Sequence, residues 1–125
     1  MSDLIQTLAL SASGMQAQAQ RLRHVSENIA NADTPGYHRK TISFEADSSG
    51  EVTAGPVHLD SRPLTQVYAP GHPLADESGH YDGSNVDLVI EIADAREAQR
   101  SYEANLRMFD QARQMAQSLF ELLRR

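Results

Sequence analysis

The residues of this chain that break helices are concentrated in its middle. All five prolines lie between Pro35 and Pro73, and every glycine except Gly14 lies between Gly36 and Gly83. Proline has no backbone N–H to donate, and its ring collides with the preceding helical turn. Its absence from residues 1–34 and 74–125 permits a long uninterrupted helix at each end. Chain ends fray unless something ties them down, so the best helices stand where a chain would assemble with something else.

The apolar pattern agrees. Near the N-terminus Ile5, Leu8, Ala12, Met15, Ala19, Leu22 and Ile29 recur at steps of three and four, with Ser26 as the polar intruder. That spacing keeps one narrow seam along a helix, which is coiled-coil geometry. Asp3 is predicted to cap this helix, with Gln6 completing a capping-box-like pair. The helix should stop near Asn31 to Thr34, because Pro35 disfavours the α conformation before it and Gly36 supplies a turn.

A second stripe near the C-terminus runs through Ala95, Ala98, Tyr102, Asn105, Phe109, Ala112, Ala116, Leu119 and Leu123, widened by Leu106, Met115 and Leu122. Its helix is predicted to begin after Ser84 or Asn85, with Asp87 stabilising the first turn. Val86, Leu88, Ile90 and Ile92 also alternate with period two, which allows a short strand-like lead-in. From Asp87 to Arg124 such a helix extends roughly 57 Å. It would need the first helix and other chains to cover its apolar face. Arg124 and Arg125 suit the negative end of its dipole.

Between the helices, Ile42 and Phe44 alternate with polar neighbours, as do Val57 and Leu59. Leu64 to Tyr68 is a third strand candidate. Residues 69–73 and 82–85 are turn-rich. The predicted fold is therefore mainly α with a small β region. Long N- and C-terminal helices pair as a coiled coil, with short strands and turns in the middle. The expected division is 1–33, 34–85 and 86–125, the outer two forming one helical unit.

Charge narrows the partners. The net charge of −6 argues against nucleic acid, which requires a basic patch to release counterions. The middle is acidic, with eight acids against three bases over residues 31–85, while both ends are nearly neutral. Near-neutral ends avoid self-repulsion when packed together, and an acidic middle suits a solvated outer surface. The absence of Cys excludes disulfides and thiol chemistry. The first residues show neither a basic leader nor a continuous apolar run, so a cleaved signal peptide is not expected.

Catalytic signals are weak. His72 and His80 lie among Asp76, Glu77 and Asp82, but their spacing matches no tight metal motif. There is no nucleophile elbow and no glycine-rich phosphate loop. No enzyme activity, cofactor, metal or small-molecule substrate is expected. Asn28 and Asn31 are more informative. Set three apart beside Ile29, they can serve as helix caps or as amides that fix register at an interface.

The run Asn28-Ile29-Ala30-Asn31-Ala32-Asp33-Thr34-Pro35-Gly36-Tyr37 closely resembles the signature that follows the N-terminal helix in flagellar basal-body rod and hook proteins. Glu97-Ala98-Gln99-Arg100-Ser101-Tyr102-Glu103-Ala104-Asn105 resembles the C-terminal helix of the same family. Val67 to Pro73, with Ala75 and Asp76, is similar to the central segment of its short, proximal-rod members. Asp82 to Asp87 departs from that branch and is closer to the turn of other rod proteins.

The resemblance implies a structural subunit of the proximal rod, exported unfolded without a cleaved signal and located in the periplasmic part of the basal body. It implies helical assembly through the terminal helices, which carry motor torque. The implied partners are other copies and other rod proteins, together with membrane-ring or export-gate components. The residues expected at assembly interfaces are Ile5, Leu8, Met15, Leu22, Asn28, Ile29, Asn31, Pro35, Gly36 and Tyr37, with Tyr102, Asn105, Leu106, Phe109 and Leu119 from the second helix. A small coiled-coil adaptor for export is the alternative, and it would explain the helices but not the motifs.

Overall fold

The computed structural model describes residues 2–124. Helix α1 covers Ser2–Ala30 and α2 covers Leu88–Arg124, with β1 (Lys40–Ala46), β2 (Val52–Leu59), β3 (Gln66–Tyr68) and β4 (His80–Asp82) between them. The chain is mainly helical, with two long terminal helices and short antiparallel strands in the middle, as the breaker distribution predicts. Met1 lies outside the described residues, as does Arg125 with its expected place at the helix end.

Two helix starts differ in detail from the sequence reading. Ser2 is already helical, so Asp3 lies inside the first turn of α1 rather than capping it. Its carboxylate still faces the positive end of the helix dipole. At α2 the cap is Asp87, whose Oδ1 accepts from the Val89 N–H at 3.0 Å. The helix therefore starts at Leu88, with no extended lead-in from there on.

The helices run antiparallel. Arg21 of α1 meets Asp94 and Glu97 of α2, both at 3.3 Å. Nearer the free ends Gly14 lies against Asn105, and Leu4 and Thr7 share a cleft with Met108 and Ala112. At Gly14 the approach is close enough to exclude a side chain, since a Cβ there would sit 2.7 Å from Asn105 Oδ1. The lone glycine in a helix-forming segment thus marks where the Asn105 side chain of α2 packs onto the backbone of α1.

The seam inside the hairpin is not the predicted one. The buried residues of α1 are Ser11, Gly14, Ala17, Val25 and Asn28, each one position before a predicted seam residue or, for Ala17, two before. A one-residue offset turns a helix by about 100°. Ile5, Ala19 and Ile29 are exposed instead, and Leu8, Ala12, Met15 and Leu22 are half-buried. The physical reason is that the packing face at Ser11, Gly14 and Ala17 uses small side chains, while Leu8, Met15 and Leu22 lie at its edge and Ile5 and Ile29 face outward. On α2 the predicted stripe is the packing face from Ala95 to Ala116, but Leu119 and Leu123 beyond it are exposed. Among the described residues the buried hydrophobics are Ala17, Val25, Ala98 and Ala112, which makes a thin core.

The strands form separate two-stranded sheets. In the first, β1 pairs with β2 from Lys40↔Leu59 to Ala46↔Val52. Between the pairs Ile42↔Val57 and Phe44↔Ala54, Gly55 and Pro56 together oppose Ser43, so β2 carries a bulge with a proline in it. This hairpin lies along α1. Lys40 Nζ reaches Glu27 Oε2 at 3.0 Å near its base, and the Val52 N–H donates to Ser13 Oγ at 3.1 Å near its tip. At the turn, Asp47 Oδ1 accepts from the backbone N–H groups of Ser49 and Glu51. The second sheet pairs Gln66↔Asp82, Val67↔Tyr81 and Tyr68↔His80. Strand β4 falls in a segment without apolar alternation, and its pairing to β3 outweighs its local sequence.

Candidate functional site

The Asn-rich turn folds back into the chain. Asn28 is 0% exposed and uses all four of its amide valences internally. Its Nδ2 donates to the Lys40 carbonyl at 2.9 Å and to Glu91 Oε2 at 3.2 Å. Its Oδ1 accepts from the Tyr37 hydroxyl at 2.8 Å and from the Lys40 N–H at 2.9 Å. The side chain expected to cap a helix or bridge to a neighbour instead ties α1 to β1 and α2. The Tyr37 phenol is pushed above its ordinary pKa by burial.

Glu91, also 0% exposed, is the second hub. Arg39 Nε donates to its Oε1, and the other arm of the same guanidinium reaches Asp94 Oδ2. Asp94 in turn accepts from Arg21. A buried carboxylate survives only when paired and hydrogen-bonded, and here one arginine and one amide hold it.

Asn85 closes the joint from the other side. Its Oδ1 accepts from the Arg39 N–H at 2.6 Å, and its Nδ2 donates to the carbonyls of Asp60 and Arg62 at 2.9 and 3.1 Å. The edge of the joint is more open. The Lys40 ammonium holds the Glu27 carboxyl below its usual range, and Glu27 raises Lys40 in return. Asp60 is likewise lowered, chiefly by hydrogen bonds from Arg62.

The remaining predicted residues divide by exposure. Asn31 closes the end of α1, its Nδ2 donating to the Glu27 carbonyl at 2.8 Å and its Oδ1 accepting from Thr34. Pro35 and Gly36 are exposed; Gly36 makes the turn with φ of 75°, and its N–H donates to the Gly83 carbonyl at 3.0 Å. Tyr102, Asn105 and Phe109 are half-buried, facing α1. Ile5 is 61% exposed and Ile29 42%, and Leu106 and Leu119 are uncovered too. Among the described residues no group of three or more His, Cys, Asp or Glu is placed to hold a metal, and no helix is long and apolar enough to cross a membrane.

Comparison with known proteins matches both ends of this architecture. The family described as flagella basal body rod protein matches residues 8–38, and flagellar basal body rod FlgEFG protein C-terminal matches residues 77–122. The flagellar basal-body rod protein FlgC of Agrobacterium fabrum is 41% identical over 136 residues, spanning 99% of this chain and 98% of that protein. The chain belongs to the flagellar basal-body rod protein family. FlgC of Aquifex aeolicus is 35% identical over 97% of this chain and 98% of its own length. FlgC of Salmonella typhimurium is 33% identical over 90% and 92%.

The N-terminal family match ends at His38, so it contains Asn28 and Tyr37, and the C-terminal match contains Glu91. The residues that build the joint of this rod-family chain were only partly visible beforehand. Glu91 could have been found as the one charged residue in the apolar run from Leu88 to Ile92, and Gly14 as the lone glycine of its helix. Arg39 and Asn85 carry no such signal.

Proposed function

We propose that this chain is a structural subunit of the proximal flagellar rod, and that its terminal helices are the parts that assemble. The observation that carries this reading is the uncovered apolar surface of both helices: Ile5 and Ile29 on α1, and Leu106, Met115, Leu119 and Leu122 on α2, stand exposed beside a thin core. Assembly removes that surface from water, and each fully buried side chain of this size contributes about 1.5–3 kcal/mol. That burial offsets the entropy of ordering two long helices at the chain ends.

The regions 1–33 and 86–125 then act as one inner unit, with 34–85 as an outer region facing neighbours. Torque passes between the two through the joint at Asn28, Arg39 and Glu91, because a fully bonded polar network resists shear between the elements it joins. The neighbours are other copies and other rod proteins, with membrane-ring or export-gate components at the base. The place of assembly is the periplasmic section of the basal body, reached by export without a cleaved leader.

Quantitative mass spectrometry of detergent-purified basal bodies tests the proposal. A fixed, low copy number relative to other rod components is the expected result. Recovery of the chain solely as a soluble cytoplasmic species would overturn it in favour of an export adaptor.

A further inference from the structure

A cavity of about 320 Å³ opens between β1 and the helical hairpin, beside the joint. Val25, Ile42 and Phe44 give it an apolar wall, and Arg21, Arg39 and Lys40 set three positive charges around it against one negative, Asp94. Glu27, Glu91 and Glu97 pair with these cations without lining the cavity. The pairing is incomplete. Arg21 donates through Nη2 alone and Arg39 through Nε and Nη2, so their other guanidinium N–H groups have no acceptor among the described residues. An apolar wall beside unspent guanidinium donors suits a carboxylate carried next to an apolar side chain.

The chain itself carries such a group. Leu74, 61% exposed, is the uncovered large hydrophobic of the turns between the helices, and the exposed Glu77 follows three residues later. Asp76 is spent inside this turn, its Oδ1 accepting from the N–H groups of Ser78 and His80 at 2.9 and 3.1 Å. Glu77 enters no ion pair or hydrogen bond among the described residues. The Leu74 N–H donates to His72 Nδ1 at 3.1 Å, and the His72 ring stacks on Tyr81 with centroids 4.0 Å apart. A turn preformed in this way loses little freedom on binding. Strands β3 and β4, which hold it, pack against neither helix nor the first sheet. The turn between β1 and β2 is a poorer match, because Gly50 lies against Leu10 of its own α1 and no large apolar side chain is exposed there.

Resting on the rod reading above, in which copies are neighbours, we propose that the cavity of one copy receives the Leu74–Glu77 turn of a second copy of this chain. Leu74 lies on the wall of Val25, Ile42 and Phe44, and the Glu77 carboxylate accepts from the spare N–H groups of Arg21 and Arg39. Opposite charge sets the orientation of the contact, and the apolar wall supplies its dry centre. The contact joins the outer region of one copy to the base of another's helical hairpin, a different surface from the exposed helix flanks.

The test places p-benzoylphenylalanine at Leu74 by codon suppression, photolyses purified basal bodies and sequences the crosslinked peptides. The expected product is a dimer of this chain that joins position 74 to residues 21–25 or 39–44. Crosslinks to any other segment or to any other protein, or none at all, in particles that contain the substituted chain overturn the contact and leave the rod reading standing. Absence of the unmodified chain from the particles overturns both. In parallel, Glu77→Lys should lower incorporation about tenfold, because it sets a like charge against Arg21 and Arg39. Glu77→Gln, which keeps an acceptor oxygen, should lose less. Equal incorporation of the two variants also overturns the contact.

Discussion

The base of the helical hairpin and its flanks are built on opposite plans. At the base, Asn28, Arg39, Asn85 and Glu91 are buried or half-buried, and each finds its hydrogen-bond partners within the chain. Along the flanks and at the poles of α2, large apolar side chains stand uncovered. Polar groups are costly to leave unpaired and directional when paired, so they fix one geometry. Apolar contacts are non-directional, so they tolerate a partner that arrives later. On the proposed reading, the chain settles its own shape with the first kind and keeps the second for its neighbours.

The contrast breaks most sharply at Glu91. Glu91→Ala leaves Arg39 Nε and one of the two Asn28 Nδ2 hydrogens without an acceptor in a buried site, at a cost of about 3–5 kcal/mol. Urea unfolding followed by circular dichroism should show the loss; a midpoint like that of the unmodified chain would mean that the joint does not hold the fold. Next comes Gly14→Ala. The added methyl overlaps the Asn105 amide, and overpacking of this sort costs about 1–3 kcal/mol, partly offset by about 1 kcal/mol of helix propensity. Pairing it with Asn105→Ala should restore the midpoint. If the double variant is as weak as the single, the close approach is not the cause.

On the flank the expectation reverses. Ile29→Asp should change monomer stability by about 0.5 kcal/mol or less, as for most surface changes, and leave export intact. Yet it should remove the chain from basal bodies. Cytoplasmic retention of this variant would count against the division of labour, because it would place Ile29 in folding or export rather than assembly.

The smallest effect is electrostatic and confined to acid. Asp60 accepts from the Arg62 side chain at 2.8 and 2.9 Å, which holds its carboxyl below the usual range. A lowered folded-state pKa gives stability that is present above the unfolded value and lost as pH falls through the folded one. Thermal midpoints of the unmodified chain and Asp60→Asn should therefore differ near neutrality and converge below about pH 4. A gap that persists at low pH would assign the effect to packing.

How far the sequence discloses this can be followed residue by residue. Proline placement and the three-four steps give both helices, and alternation gives β1 and β2, because these depend on local backbone chemistry. The internal seam is misjudged for a definite reason. Ranking positions by hydrophobicity selects Ile5 and Ile29, which face outward, over Ser11 and Gly14, which meet α2. In an assembling chain, the most apolar stripe need not be the one it uses on itself. The motif around Asn28 stands out in the sequence, but the other residues of the joint, Arg39, Asn85 and Glu91, lie 11 to 63 residues away from it. Their meeting is a property of the fold, with no local signature.

The bulge at Gly55 and Pro56 has a consequence for how such a polymer stays orderly. A two-stranded ribbon offers two raw margins on which any passing strand can seed. Pro56 has no N–H to offer, and the extra residue throws the repeat out of step, which disfavours a second ribbon pairing along the β2 margin. The β2 margin is thereby a poor template for a further strand, which on the proposed reading leaves growth to the helices.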